Sequence, residues 1–421
     1  MGLPPKSALN EIVRPYPVMN AFVDAIGVTA GGMAIGLAAI ATCAVISRTS
    51  KFYQAEIADD SGRRELALDG LRGIAALMVV MHHAAMFRIS LHTGQWGIAG
   101  SPVLQAFGPA GVHLFFMLTG YLFWSKARAA HGKFNIAKLW RGRVYRIAPL
   151  YLFGVALIMA VAIATGKVHV ANAGFFKSAW RLLGLGLIPW HNFGNFDVSN
   201  INVHVVWTLW YEWRFYLALP FIAWLAVGRR VFWLGAATYV AVFCCLFRFG
   251  INMQPGLVFI LGMLCPVLLD NETLRAQLRR PIAAAIALVA TATLAALNQA
   301  PLLSFSFATA MFPVFLVAAA GNTFRGVLVQ PAFLCLGAIS YSLYLLHGIV
   351  FYVLVEVLKA VGLTALPEIC DWIILAAAAI GISAFCSVTY RWIEAPFLSR
   401  THKTRMSASS APVPEVVQSA L

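Results

Sequence analysis

The chain has 421 residues, of which 61% are hydrophobic and only 11% are charged. A soluble globular protein carries charge at roughly a quarter of its positions, so this composition excludes that class and indicates an integral membrane protein. The formal net charge of +15 would suggest nucleic acid binding in a soluble protein. Here Lys and Arg lie between apolar segments, so we interpret the charge as a feature of membrane topology and expect no nucleic acid partner.

The apolar segments are long enough for transmembrane helices of roughly 20 residues and lack the alternating pattern of an outer-membrane barrel. We therefore predict an all-α, polytopic transmembrane bundle of about eleven helices. The predicted spans are 18–46, 66–90, 106–125, 147–166, 206–227, 230–247, 253–270, 281–298, 302–320, 333–358 and 370–390. The first run is longer than the apolar core of a signal sequence, so we interpret it as a retained helix.

Three regions follow from this pattern. Residues 1–65 form an N-terminal extension with one transmembrane helix and a cytoplasmic linker, 66–398 form the membrane domain, and 399–421 form a disordered tail. Lys and Arg are about three times as frequent in one set of alternate loops as in the other. This bias predicts an inner (plasma) membrane protein with its N-terminus outside and its C-terminus in the cytoplasm.

The second predicted helix, 66–90, carries Asp69, Arg72, His82 and His83 within an apolar run. Arg72 and His83 point within roughly 20° of each other on a helix and lie about 16 Å apart along its axis. His82 falls about 80° from that face, so His83 is the candidate general base. The alternative is structural: Arg72 snorkels to the interface and His83 forms a hydrogen bond within the bundle.

The fifth predicted helix places Glu212 and Arg214 inside the membrane, with Tyr216 one turn later. Glu212 could orient an imidazole or bind an acceptor hydroxyl, or it could form a structural ion pair. In the tenth predicted helix, Ser340, Tyr344 and His347 form one polar stripe. Such a stripe is typical either of a binding surface or of hydrogen bonds between helices.

The loop 126–146 contains seven basic residues, among them Arg143 and Arg146, on the side where Arg72 begins its helix. Together these cations would attract a polyanionic cytoplasmic ligand. Glu394 lies near the same surface and is most simply an anchor or an ion-pair partner. The seven cysteines have no paired ligand spacing, so we expect neither a disulfide framework nor a metal site.

Residues 68–76 read Leu-Asp-Gly-Leu-Arg-Gly-Ile-Ala-Ala, and ten residues separate Arg72 from His83. This pattern resembles the signature of the membrane acyltransferase-3 family of O-acyltransferases. Five further segments agree with that family in order: 111–121, 143–149, 207–217, 337–347 and 390–396. The resemblance implies a ten-helix acyltransferase core, to which the first predicted helix is an addition, and a functional role for the Arg72/His83 pair.

The resemblance also implies an O-acetyltransferase that moves an acyl group, usually acetyl, from cytoplasmic acyl-CoA to a hydroxyl of an extracytoplasmic or lipid-linked saccharide. We expect Arg72, Arg143 and Arg146 to bind the acyl-CoA phosphates. His83 would act as general base for the acceptor hydroxyl or would relay the acyl group through a transient acyl-enzyme, and the sequence favours neither route. Tyr216, Glu212 and the stripe Ser340/Tyr344/His347 would line the acceptor half. The alternatives are a transporter or flippase of a lipid-linked sugar and a non-catalytic subunit of a polysaccharide synthase.

Overall fold

The computed structural model describes residues 18–60, 65–94, 99–131, 135–169, 175–188, 192–193, 196–224 and 254–398 except 365, with isolated positions between 224 and 254. The predicted span 230–247 and the predicted tail 399–421 lie outside the described residues, apart from those isolated positions. Fourteen α-helices, a π-helical turn and no β-strand lie in the described part, which confirms the prediction of an all-α bundle.

The helices are numbered in chain order among the described residues. They are α1 Val18–Thr49, α2 Lys51–Asp60, α3 Leu66–Thr93, α4 Pro102–Ala129, α5 Ile136–Ala164, α6 Phe175–Leu182, α7 Trp207–Trp224, α8 Gln254–Leu268, α9 Glu272–Leu278, α10 Pro281–Leu297, α11 Phe305–Ala319, α12 Pro331–Ala338, α13 Ser340–Ala360 and α14 Glu368–Thr389. Short 3₁₀ segments occur at Val198–Asn202 and Val327–Val329, and the π-helical turn is Tyr390–Glu394.

Six segments among the described residues are long and apolar enough to cross a membrane. They are Ala25–Thr49, Leu66–Thr93, Pro102–Ala129, Ala137–Ala164, Ser340–Ala360 and Glu368–Leu398. Helices α8 and α9 would add a seventh span if they are taken as one element, which is bent by 110°. The predicted spans 206–227, 281–298 and 302–320 correspond to the shorter helices α7, α10 and α11.

Helix α3 lies at the centre of the bundle and packs against α1, α4, α12 and α13. Glycines allow its closest approach to α12, because a Cβ on Gly73 would lie 2.7 Å from the backbone nitrogen of Gly337. A Cβ on Gly337 would in turn collide with the carbonyl of Asp69. Since Arg72 lies between Asp69 and Gly73, this contact determines where the Arg72 side chain begins.

The predicted span 333–358 is divided into two helices, and the division matters for the site. Helix α12 ends at Ala338, and α13 begins at Ser340 after a turn at Ile339. The last four carbonyls of a helix lack partners within it and attract cations. One of them, that of Gly337, can therefore accept hydrogen bonds from a neighbouring helix.

Candidate active site

The structure contains a cavity of about 140 Å³ between α3, α4, α5, α7 and α13. Seven side chains that the sequence nominated lie around it: Arg72, Arg143, Arg146, Glu212, Tyr216, Ser340 and Tyr344. These residues come from four helices that are far apart in the chain. Two other nominated residues, His83 and His347, form a pair and are not part of the cavity lining.

The two histidines are joined directly, since Nδ1 of His83 lies 2.9 Å from Nε2 of His347. Their rings are stacked with centroids 5.0 Å apart. His347 is fully buried, and its Nδ1 lies 2.8 Å from the carbonyl oxygen of Leu343. Residues 83 and 347 are far apart in sequence, so this pairing is a product of the tertiary fold.

The tautomers of the pair follow from the Leu343 contact. A carbonyl oxygen only accepts, so Nδ1 of His347 carries the proton and Nε2 of the neutral ring carries a lone pair. Nε2 of His347 therefore accepts a hydrogen bond from Nδ1–H of His83. Nε2 of His83 is then the nitrogen with an available lone pair, which is what a general base requires.

The other histidine of α3 has a different environment. His82 is buried, and its Nδ1 donates to the carbonyl of Leu104 at 2.8 Å. Its ring packs against α4 at Gly108, where a Cβ would collide with it. These contacts give His82 a role in packing α3 against α4, in agreement with its predicted place off the Arg72/His83 face.

Tyr344 connects the histidine pair to the cavity. It lines the cavity, and its ring centroid lies 6.5 Å from that of His347. Its hydroxyl lies 3.1 Å from Oγ1 of Thr208 and donates to the carbonyl of Val205 at 3.3 Å. The predicted stripe on this helix therefore forms a hydrogen bond between helices through Tyr344, and its role as a binding surface stays a prediction.

Arg72 is held by a helix end. Its Nε and Nη2 donate to the Gly337 carbonyl at 3.1 and 2.7 Å. Its Nη2 also lies 3.2 Å from Oδ1 of Asp69, one turn earlier in α3. The guanidinium thus caps the C-terminus of α12 and still borders the cavity.

The two arginines of α5 meet the cavity in different ways. The Cζ atom of Arg143 lies 4.8 Å from the ring centroid of Phe123 and 5.6 Å from that of Tyr216. Arg146 forms an ion pair with Glu394, with 3.3 Å between Nη1 and Oε2. Aromatic faces and a carboxylate therefore orient these cations toward the space that they share.

Glu212 contacts the cavity from α7, and its Oε2 accepts a hydrogen bond of 2.8 Å from the hydroxyl of Tyr216. The side chain that hydrogen-bonds to the His83 ring is that of His347, whereas Glu212 lines the cavity. The hydroxyl of Ser340 is buried at the cavity and has no hydrogen-bond partner among the described residues.

The sequence did not single out the buried network behind Arg146. Glu394 is only 2% exposed, and Oγ of Ser342 donates to its Oε1 at 2.5 Å. Ser342 also lies 2.9 Å from Oγ1 of Thr389. Glu394 was expected to be an anchor or an ion-pair partner, and the ion pair is the correct alternative. The signal in the sequence that could have indicated this network is that the Glu394 carboxylate follows directly after an apolar span.

The fold and this site define a polytopic α-helical membrane protein with a histidine pair beside an arginine-lined cavity. The acyltransferase-3 family model, described as an acyltransferase domain, matches residues 65–388, and the chain belongs to this family. The predicted family resemblance is thereby confirmed.

Curated relatives match over shorter stretches. The O-acetyltransferase OatA of Staphylococcus aureus is 24% identical over 165 residues, which are 37% of this chain and 24% of the relative. The putative peptidoglycan O-acetyltransferase YrhL of Bacillus subtilis is 26% identical over 203 residues, which are 45% of this chain and 28% of the relative. The matched stretch is thus only about a quarter of the length of these relatives. No solved structure gives a significant match.

Proposed function

We propose that the protein is a membrane O-acetyltransferase that transfers an acetyl group from cytoplasmic acyl-CoA to a hydroxyl of an extracytoplasmic saccharide. The observation that carries this proposal is the His83–His347 pair, which leaves a lone pair on Nε2 of His83 and neighbours Tyr344 in the lining of a cavity bordered by three arginines. Membership of the acyltransferase family supports the reaction class. The names of the relatives support a saccharide acceptor of the peptidoglycan type.

The chemistry follows from the pair. Nε2 of His83 takes the proton of the acceptor hydroxyl while the hydroxyl oxygen attacks the thioester carbonyl carbon. A C–O bond to the acceptor forms, and the C–S bond of the thioester breaks. The resulting imidazolium returns the proton to the leaving CoA thiolate. His347 keeps the His83 ring in one orientation throughout, as an orienting third group does in other base-activated sites.

The charge of three arginines and the size of the cavity indicate how the acyl donor would bind. Arg72, Arg143 and Arg146 present three guanidinium groups to one cavity, and guanidinium groups bind phosphates with good geometry. The volume of 140 Å³ is below the ~300 Å³ at which pockets for drug-sized ligands begin. A cavity of this size suits the part of the donor next to its phosphates, and the pantetheine arm would carry the thioester from there to His83, about 16 Å from Arg72 along α3.

The acceptor would meet polar groups of α7 and α13 in the cavity lining. Glu212 and Tyr216 offer a hydrogen-bonded carboxylate and phenol, and the unpartnered Ser340 hydroxyl offers a third polar group. Sugar hydroxyls both donate and accept, so a mixed set of this kind matches them. Acetylation would then occur within the membrane domain, with the donor entering from the cytoplasm and the acceptor from outside.

The test is release of the CoA thiol from acetyl-CoA by purified protein in nanodiscs, with peptidoglycan fragments as acceptor. The wild-type protein is expected to release thiol in an acceptor-dependent way and to give an acetylated product by mass spectrometry. His83→Ala is expected to lose at least about 100-fold of this activity, because the general base is removed.

His82→Asn is the matched control, since it changes the neighbouring histidine, whose hydrogen bond goes to a backbone carbonyl. A folded His82→Asn protein should keep most of its activity. Full activity in a folded His83→Ala protein would refute the role of the base. A wild-type protein that turns over no acyl donor would refute the acyltransferase itself and turn attention to transport of a lipid-linked sugar.

A further inference from the structure

The N-terminal extension makes direct contact with the C-terminal end of α14. The hydroxyl of Tyr53, on α2, donates to the carbonyl of Ser387 at 2.8 Å. The hydroxyl of Tyr390 donates in return to Oε1 of Glu56 at 2.7 Å. Helix α2 lies before the segment matched by the acyltransferase family, and Tyr390 lies after it.

Aromatic packing reinforces these two hydrogen bonds. Tyr53 is only 2% exposed, and its ring stacks on that of Tyr390 with centroids 6.1 Å apart. Phe52 packs edge-on against both rings, at 5.1 and 6.2 Å. The Cζ atom of Arg391 lies 5.4 Å from the Phe52 ring centroid. The contact is therefore a packed interface between α2 and the chain around Tyr390.

Tyr390 begins the π-helical turn that ends at Glu394. Such turns are rare, occur mostly as single insertions in α-helices, and change the direction of the side chains that follow. Here the turn places the buried carboxylate of Glu394 where it accepts a hydrogen bond from Ser342 and pairs with Arg146. One end of the turn is thus fixed by α2 and the other end contacts a cavity residue.

Arg146 lies between the cavity and an aromatic ring. Its side chain borders the cavity, and its Cζ atom lies 5.5 Å from the ring centroid of Tyr341. Its orientation depends on Glu394, the carboxylate with which it pairs. A shift of about 1 Å in a group that positions a substrate can cost as much as 100-fold in rate. Contacts that hold the turn Tyr390–Glu394 in place therefore also hold Arg146, the proposed donor contact, in place.

We propose that α2 is a positioning clamp for the acyl-donor site: Tyr53 and Glu56 hold the turn Tyr390–Glu394, and Glu394 holds Arg146 toward the donor phosphates. This inference rests on the proposed acyltransferase function and extends it to the N-terminal extension, which lies outside the matched family domain. Glu56 and Tyr53 are positioning residues, since they act through Glu394 and Arg146.

The experiment compares Glu56→Ala, Glu56→Gln and Tyr390→Phe with the wild type in nanodiscs. It measures kcat and KM for acetyl-CoA and, separately from turnover, the affinity for CoA by calorimetry. Glu56→Ala and Tyr390→Phe should raise the donor KM and weaken CoA binding about tenfold, with kcat changed less than about twofold. Glu56→Gln keeps an acceptor oxygen for the Tyr390 hydroxyl and should restore both values.

Two further measurements separate positioning from general damage. Gln54→Ala changes the same helix at an exposed residue that bonds to the Arg48 carbonyl, and it should leave KM unchanged. A thioester of N-acetylcysteamine lacks the donor phosphates, so Glu56→Ala and the wild type should use it equally well. A loss of equal size with both donors would indicate structural damage and overturn the clamp.

The outcomes also separate the two proposals. If the wild type binds CoA and transfers acetyl groups while Glu56→Ala and Tyr390→Phe match it, the clamp is wrong and the acyltransferase stands. If the wild type neither binds CoA nor transfers acetyl groups, both the proposed function and the clamp in this form are wrong.

Discussion

In the proposed mechanism, His347 would take the place that a carboxylate has in a serine hydrolase triad, and its imidazole would orient His83 without a negative charge. Burying a carboxylate among apolar helices would be expensive, whereas a neutral ring needs only its two nitrogens satisfied. The Leu343 carbonyl satisfies one nitrogen and His83 satisfies the other. The arrangement therefore fixes the His83 tautomer at a low cost in desolvation.

This role leads to a prediction for His347→Phe. Phenylalanine keeps a ring beside Phe351 and Tyr344 but accepts no hydrogen bond from His83. The His83 ring would lose its orientation, so kcat should fall about 100-fold while the KM for acetyl-CoA stays within about twofold. Steady-state kinetics with a saturating acceptor measure both values.

Tyr352→Phe is the matched control for that measurement, because it removes one polar group from the same helix at a half-buried position outside the site. Its kcat should equal that of the wild type. An unchanged kcat in a folded His347→Phe protein would show that His83 needs no orienting partner.

At the scale of single helices, periodicity in the sequence was a sufficient guide. The spacing of Arg72 and His83 predicted a shared face, and α3 is a continuous helix across both residues. The spacing of Tyr344 and His347 likewise matches a continuous α13. Local spacing carries this information because the period of an α-helix depends on backbone hydrogen bonds alone.

Contacts between helices were not accessible in the same way. Nothing in the local pattern indicates that His83 meets His347, or that Glu394 meets Arg146, since each contact depends on how distant helices pack. The break at Ile339 interrupts the predicted span 333–358, and the turn Tyr390–Glu394 extends the last helix beyond its predicted end at 390. Both irregular points contact arginines of the site, and irregular backbone within helices is often found at functional sites.

One contact between helices makes a separate prediction about stability. Asp371 at the start of α14 is buried and lies 2.6 Å from Nε2 of His92 and 3.4 Å from Nε of Arg88, both on α3. Asp371→Asn removes the buried carboxylate of this cluster and, among the described residues, leaves Arg88 paired only with the more exposed Glu368. The free energy of unfolding should fall by about 2 kcal/mol, because the charged hydrogen bond to His92 is lost.

Glu368→Gln is the comparison, because Glu368 also pairs with Arg88, at 2.7 Å, but its side chain is 56% exposed. An exposed pair contributes less than about 1 kcal/mol, so this variant should unfold close to the wild type. Denaturant titration in detergent measures both variants. Equal losses in the two would contradict the assignment of the stability to the buried carboxylate.

At the scale of the whole molecule, the distribution of charge and the site require the same orientation. The residues proposed to meet a cytoplasmic donor, Arg72, Arg143 and Arg146, border one cavity. The basic segment 126–146 was predicted as a loop, but it is helical up to Ala129 and again from Ile136, so Arg143 and Arg146 lie on α5. Lys and Arg concentrate in cytoplasmic loops, and CoA is an anion of the cytoplasm. An inverted protein would present these arginines to the wrong compartment, so the proposed reaction depends on the predicted topology.

The topology can be tested with a membrane-impermeant maleimide on cells that express Thr93→Cys or His131→Cys, two exposed positions near the ends of α3 and α4. Thr93 lies at the end of α3 away from Arg72, so its cysteine should be labelled on intact cells. His131 follows α4 in the basic segment that is predicted to face the cytoplasm, so a cysteine at this position should be labelled only after permeabilisation. Four of the five native cysteines in the described part are buried. Labelling of the protein without an introduced cysteine gives the background signal from the native ones. Labelling of the cysteine at position 131 on intact cells would show that the bundle has the opposite orientation, which excludes a cytoplasmic donor at this site.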